Sequence, residues 1–246
     1  MQIQIADISV EIIKKEIKNM HLSVLPPDGK VRVSAPLAMP DEAITMFVRT
    51  KLGWIRKQQA RFESQPRQSQ REYVSGETLY VWGRQYFLQV AYSYKGNSLV
   101  LDGNQAILTV RKESTSKQRE AFVNEWYRGL LKLEVEKYLP KWEKITGLHC
   151  SSWQSKYMTT RWGTCNTNTR KIWLNLQLAK KPIECLEYVI LHELAHLKVK
   201  NHGSEFIAIL DQHMPQWRER KMLLNESKLD YMDPDYHATG EGSAFL

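Results

Sequence analysis

The chain is 246 residues long, with 42% hydrophobic residues and eight tryptophans, so it can bury a substantial core as one large or two small domains. Its apolar runs fall far short of the roughly 20 residues that span a bilayer, and its N-terminus lacks the pattern of a secretion signal. Its three cysteines contain no CxxC pair, which argues against a disulfide framework and against a zinc ribbon. We therefore expect a soluble, globular and cytoplasmic protein.

The net charge of +8 permits attraction to nucleic acid by long-range electrostatics. Lysine and arginine are nevertheless dispersed along the chain, and only residues 49–61 concentrate them. A basic balance alone says little about specific binding. Nucleic acid therefore stays an unproven partner, and scattered charges on solvated helices explain the balance as well.

The front part of the chain is rich in predicted strands. Apolar and polar residues alternate there with the period of two that is typical of half-buried strands, and turn residues separate the runs. Apolar residues at helical spacing after Pro40 predict one helix over 41–63, followed by a polar loop at 64–76. We see no internal repeat in the sequence. The predicted strands lie at 7–14, 20–25, 31–35, 78–82, 85–93, 98–102 and 106–111.

The pattern becomes mostly helical after Ser114. A long helix over 116–138 is expected to continue briefly from Pro140 to Gly147. A turn region at 163–169 lies between two short predicted strands. These strands lie near 153–159 and 171–174, and the remaining predicted helices lie at 182–200, 204–213 and 216–227.

Three of the seven histidines lie within the stretch HELAHLKVKNH, residues 192–202. On a helix that begins at Pro182, the apolar residues form one stripe, and His192 and His196 lie outside it. Their imidazoles stand one turn apart, and side chains at i and i+4 can converge on one metal ion. Glu193 is not a ligand in this motif and can take a proton from metal-bound water.

A catalytic zinc ion needs three protein ligands and leaves the fourth position to water. His202 is the best candidate for the third ligand, but it lies six residues beyond His196, so the helix must break between them. Asn201 tolerates the left-handed conformation that ends helices, and we expect the break there. Glu205 is the alternative third ligand, because some zinc hydrolases use a downstream carboxylate. A structural zinc site would want four protein ligands, and no cysteine lies beside the cluster to supply one.

Several stretches in combination resemble the YgjP-like bacterial metallopeptidases, a group related to the SprT-like and WLM zincins. The resemblance covers about residues 7–227. Thr164 and Gly203 stand where the family usually has serine, and both are mild departures. The stretches are TTRWGTC (159–165), IWLNLQLAKKP (172–182), EYVILHELAHLKVKNHGSEF (187–206) and MPQWRERKMLLN (214–225), with VRVSAP, GWIRKQQ and SGETLYVWGRQYFLQV in the front part.

The resemblance implies an α+β fold in which a β-rich N-terminal part precedes a compact zincin-like metallopeptidase domain with an HExxH helix. We place the N-terminal part at residues 1–113, the metallopeptidase domain at 114–229 and a flexible tail at 230–246. The family's ligand positions fall on three histidines and its catalytic glutamate on Glu193. These ligands of the expected Zn²⁺ ion are His192, His196 and His202.

We expect a zinc metallopeptidase that hydrolyses peptide bonds through a zinc-bound water activated by Glu193. A protein or peptide substrate would add itself as a strand to the edge of a small sheet, formed by Lys171–Leu174 or by residues 153–159. Two alternatives stay open. One is a nucleic-acid-associated protease that acts on DNA-bound proteins, and the other is a non-catalytic zinc module used for interaction.

Further residues near the WGTC stretch invite functional interpretations. Arg161 and Tyr157 could reach the metal and stabilise an oxyanion, although packing or surface pairing is the favoured interpretation. Asn175 could hydrogen-bond the neighbouring loop or a ligand histidine. Cys165 is better explained as a structural residue than as a ligand or a nucleophile.

Overall fold

The structure is a computed structural model that describes residues 1–25, 29–64, 71–158 and 161–226, with the backbone alone at 61–64. The fold is α+β, as the sequence predicts. The described chain forms two compact units, one up to residue 64 and the other from residue 71. No described helix is long and apolar enough to cross a membrane. The tail predicted from residue 230 onward lies outside the described residues, as do residues 65–70 of the predicted loop at 64–76.

The first unit is a four-stranded sheet covered on one face by two helices. Its core joins the alternating apolar residues of the sheet to Ile44, Val48 and Ile55 of the helices. The single helix predicted over 41–63 is interrupted at Lys51, which caps the first of the two helices. The first strand was not predicted. The elements are β1 (Gln2–Ile5), β2 (Ile8–Lys15), β3 (His21–Leu25), β4 (Lys30–Pro36), α1 (Asp41–Thr50) and α2 (Leu52–Ser64).

The second unit opens with another four-stranded sheet, followed by a long helix. All four strands lie where alternation predicts them. The helix begins at a capping box formed by Thr115 and Gln118, and it runs through Pro140 without the expected interruption until Gly147 ends it in the left-handed conformation. The elements are β5 (Thr78–Val81), β6 (Arg84–Tyr92), β7 (Ser98–Asp102), β8 (Gln105–Val110) and α3 (Ser116–Thr146).

The two four-stranded sheets share one topology. The strand order is β1-β2-β4-β3 in the first and β5-β6-β8-β7 in the second. In each sheet the first two strands form an antiparallel hairpin, the second pairs in parallel with the fourth, and the third pairs antiparallel with the fourth. The structure therefore contains a repeated strand arrangement that the sequence does not reveal.

The remainder of the second unit is a three-stranded sheet and a set of helices. Part of the turn region predicted at 163–169 is a strand, β10. The sheet order is β10-β11-β9, so β11 is central and its Lys171–Leu174 cannot be the free edge that the sequence suggested. The elements are β9 (Ser152–Lys156), β10 (Gly163–Asn166), β11 (Lys171–Asn175), a 3-10 helix (Leu176–Lys180), α4 (Ile183–Ala195), α5 (Ser204–His213) and α6 (Trp217–Glu226).

The sheet β5–β8 shares its hydrophobic core with the helices that follow it. Buried residues of this sheet, of α3 and of α4 form one continuous cluster. The β5–β6 turn also lies against the start of α4: Trp82 N donates to Ala179 O at 2.9 Å, and a Cβ on Gly83 would stand 2.8 Å from Pro182 Cγ. The contacts thus divide the chain before β5, whereas the sequence placed the division at 113/114.

Candidate metal centre

Helix α4 carries His192 and is capped by His196, and from Cys185 to Ala195 all of its residues except Glu187 are buried. It packs against α3, α5, α6, β10, β11 and the 3-10 helix. His192 is 2% exposed, although the helical pattern predicted a position outside the core stripe. The stripe on its own did not reveal this, because the faces of α4 outside it are covered by other elements of the same unit.

Helix α4 ends earlier than the sequence predicts. Its last residue is Ala195, and His196 is the C-cap in ordinary right-handed geometry (φ −63°, ψ −20°). The amide of Leu197 donates to Leu194 O and that of Lys198 to Ala195 O, so the chain leaves the helix through tight turns. The break expected at Asn201 is therefore wrong, because the chain has already left the helix five residues earlier.

The early end of α4 brings the three histidines together. His192 Nε2 lies 3.2 Å from His196 Nε2 and 3.1 Å from His202 Nε2. Two nitrogens bound to one tetrahedral zinc ion at its usual bond length stand about 3.3 Å apart. The two distances from His192 therefore fit a single metal ion of that size, and the ligand atoms of all three histidines lie within 4.8 Å of one another. The alternative ligand Glu205 is exposed and does not belong to this group.

The protonation of the imidazoles also suits metal binding. His196 Nδ1 donates to the carbonyl oxygen of Val199 at 3.1 Å, so its Nε2 is left with a free lone pair. Tyr188 Oη lies 3.5 Å from His192 Nδ1. Burial lowers the pKa of all three histidines, most strongly that of His192. Near neutral pH the imidazoles are therefore uncharged, the form that binds metal.

Glu193 is 1% exposed and lies directly against β10. A Cβ built on Gly163 would stand 2.5 Å from Glu193 Oε1, so only glycine fits there. Burial raises the pKa of Glu193 to about 8, and the nearby positive charge of Arg161 partly opposes this. Oε2 of Glu193 is buried and has no hydrogen-bond partner among the described residues. The carboxylate is thus a proton acceptor of raised basicity with an unused oxygen.

Asn175 holds the segment that leads into β10. Its Nδ2 donates to Met158 O at 2.8 Å and to Arg161 O at 2.7 Å. Its Oδ1 accepts from the amides of Met158 and Gln177. The side chain therefore binds the loop, which is the first of the two roles considered for it, and no bond to a ligand histidine is present. Its contacts anchor the backbone on both sides of residues 159–160.

The structure also shows the surroundings of two other candidates near the WGTC stretch, Arg161 and Cys165. Arg161 is half-buried and near enough to Glu193 to act on its pKa. Burial raises the pKa of the Cys165 thiol to about 12, so this thiol is not a nucleophile at neutral pH.

Sequence reasoning missed Gly163 and Tyr188. Tyr188 lies one helical turn before His192, a spacing at which side chains meet.

The three histidines are placed so that they could hold a metal ion, and the sequence comparison points to a metallopeptidase. Residues 18–227, most of the chain, match the family model described as "YgjP-like, metallopeptidase domain". The chain belongs to the YgjP-like metallopeptidases. A search of curated proteins gave no match.

Two solved structures are similar to parts of this YgjP-like metallopeptidase. One is the crystal structure of the metallopeptidase zymogen of Pyrococcus abyssi abylysin, at 20% identity and a TM-score of 0.33, covering 39% of this chain and 98% of that one. The other is the metallopeptidase zymogen of Methanocaldococcus jannaschii jannalysin, at 24% identity and a TM-score of 0.34, covering 37% of this chain and 92% of that one.

Proposed function

We propose that this protein is a zinc-dependent peptidase in which His192, His196 and His202 hold Zn²⁺ and Glu193 is the general base. The observation that carries the proposal is the convergence of the three Nε2 atoms, with His192 Nε2 within 3.2 Å of both others. Neutral imidazole donors suit zinc better than they suit magnesium or calcium, which prefer oxygen ligands.

When bound, Zn²⁺ acts as a Lewis acid that polarises a carbonyl group and lowers the pKa of water. Glu193 takes a proton from the attacking water while the oxygen of that water bonds to the carbonyl carbon of the scissile peptide. Glu193 then returns that proton to the amide nitrogen as the C–N bond breaks, so the products are a carboxylate and an amine. Burial of the carboxylate supports this exchange, because it moves its pKa towards neutrality.

The free edge of β10 is the strand edge beside Glu193. Within its sheet β10 pairs with β11 alone, and its first residue, Gly163, contacts the Glu193 side chain. An extended peptide that pairs with this edge would pass close to the carboxylate. We therefore propose that the substrate strand lies along β10, although β9 (Ser152–Lys156), where the sequence predicted the alternative edge, is the other edge of this sheet.

Replacement of Glu193 by Gln separates binding from chemistry. The amide keeps the size of the side chain and cannot take the proton, so we expect hydrolysis of a denatured protein substrate to fall at least about 10²-fold. Metal analysis should still find one zinc per chain in the variant. Wild-type hydrolysis rates in zinc-loaded Glu193→Gln would contradict the mechanism. Stoichiometric zinc with no hydrolysis in the wild type would favour the non-catalytic zinc module.

A further inference from the structure

Phe206 touches all three histidines of the metal centre. It lies in the first turn of α5, four residues after His202, and is 2% exposed. The centroid of its ring lies 4.9 Å from that of His192, 4.8 Å from that of His196 and 4.7 Å from that of His202. Among the described residues, no other aromatic ring contacts all three imidazoles.

The four rings form one regular cluster. The three imidazole centroids are 4.8 to 5.0 Å apart from one another, so all six distances among the four rings lie between 4.7 and 5.0 Å. Four equally spaced points describe a tetrahedron, with Phe206 at the corner that carries no donor atom. Phe206 is buried while His202 is exposed, which makes Phe206 the inner side of the cluster.

The ligands need such a support because they do not share one rigid element. His192 lies within α4, His196 is its C-cap, and His202 lies outside any helix. The ring of Phe206 is the common contact of these three positions. A ring locked by packing restricts the imidazoles on it, and a site held in its bound geometry before the metal arrives binds more tightly.

We propose that Phe206 is a positioning residue that sets the affinity of the metal centre by holding the three imidazoles at metal-binding spacing. The proposal rests on the ligand set of the proposed function. An ordinary core phenylalanine would support folding alone, and its replacement would then leave the affinity of the folded protein unchanged. The two roles are therefore separable by measuring metal binding on folded protein.

The test compares Phe206→Leu with Leu210→Ala in the full chain. Leu210 lies one turn further along α5 and is 1% exposed, so its truncation perturbs the same helix without removing the ring. Zinc affinity is measured on the folded apoproteins by competition with a chromophoric chelator. We expect Phe206→Leu to weaken zinc binding 10- to 100-fold, as loss of groups that orient metal ligands does, and Leu210→Ala to bind within about twofold of wild type.

A cobalt spectrum gives a second readout that folding alone does not move. We expect the visible absorption bands of Co²⁺ in Phe206→Leu to shift or weaken, because they report ligand geometry. Phe206→Met, which keeps an apolar side chain of similar length, serves if the leucine variant does not fold, with the same expected loss of affinity. Wild-type zinc affinity in a folded Phe206 variant, or an equal loss in Leu210→Ala, would overturn the proposal. Retained zinc binding in His192→Ala would instead contradict the ligand set.

Discussion

Gly163 and Glu193 are packed so closely that no side chain fits between them. An added Cβ would stand 2.5 Å from Oε1, 2.8 Å from Cγ and 2.9 Å from Cδ of the glutamate. Glu193 is buried, so its carboxylate cannot swing into solvent to make room. The absence of a side chain at position 163 is therefore what allows the edge strand β10 to lie against this carboxylate.

Replacement of Gly163 by Ala should displace Glu193 and lower the rate of peptide hydrolysis. A misplacement of about 1 Å in a catalytic group costs about 10²-fold in rate, and we expect a loss of that size with zinc content unchanged. The measurements are turnover of an unfolded protein substrate and metal analysis. Gly129→Ala in α3 is the matched control, because its Cβ would meet nothing within 4 Å. Equal activity in Gly163→Ala and wild type would contradict the role of this contact.

The protonation of Glu193 should make the stability of the apoprotein depend on pH. Its pKa is raised from 4.5 to about 8 by burial, so between these values the folded state holds a proton that the unfolded state has released. The stabilisation of the folded state by this proton is fully present below about pH 4.5. It is lost as pH rises towards 8, at ~1.4 kcal/mol per pH unit.

Urea unfolding of metal-free wild type and Glu193→Gln at several pH values isolates this effect. The three ligand histidines have lowered pKa values, so they change the free energy of unfolding in the opposite direction. Their contribution to stability is lost as pH falls through 6.5. They are common to both proteins and cancel in the difference. We expect the variant to gain stability relative to wild type as pH rises from 5 to 8. A difference that does not change with pH would show that Glu193 is ionised in the folded apoprotein.

Loss of the Asn175 side chain should destabilise the second unit. Asn175→Ala removes four hydrogen bonds to backbone groups, although Met158 O also accepts from Gln177 Nε2 at 3.3 Å. Polar groups left unpaired away from water are costly, so we expect the free energy of unfolding to fall by about 3 kcal/mol. Asn166→Ala is the control. Its Oδ1 also accepts from two backbone amides, but in an exposed turn, so the expected loss is at most about 1 kcal/mol. Similar losses in the two variants, measured by urea unfolding, would refute the special role of Asn175.

Local patterns in the sequence predict most elements of the second unit and the identity of the histidine cluster. Apolar and polar residues alternate along strands β5–β8. The closeness of His192 and His196 follows from the geometry of one helical turn. The end of α4 is not predicted, because Leu197 continues the apolar stripe of the helix. What ends the helix is local turn bonding and the bond from His196 Nδ1 to Val199 O.

The remaining differences between the prediction and the structure depend on contacts between distant parts of the chain. The burial of His192 is set by neighbouring elements that cover α4, and the central position of β11 is set by pairing with both β9 and β10. The closeness of Gly163 to Glu193 joins residues 30 positions apart, which no periodicity can report. Sequence pattern thus predicts the residue types of the site, and tertiary packing decides their surroundings.

The end of α4 at Ala195 also fixes the electrostatic setting of the histidines. Peptide dipoles sum along a helix, so its C-terminal end carries about half a negative charge, and a cation there is stabilised by ~0.3–1 kcal/mol or more when the end is buried. His196 caps that end, so a divalent ion held by the three histidines would lie beside it. If the helix continued to residue 200, His192 and His196 would both lie inside it, away from its end, where this field is weak. The backbone itself would thus attract such an ion and, by the same field, favours the protonated form of Glu193.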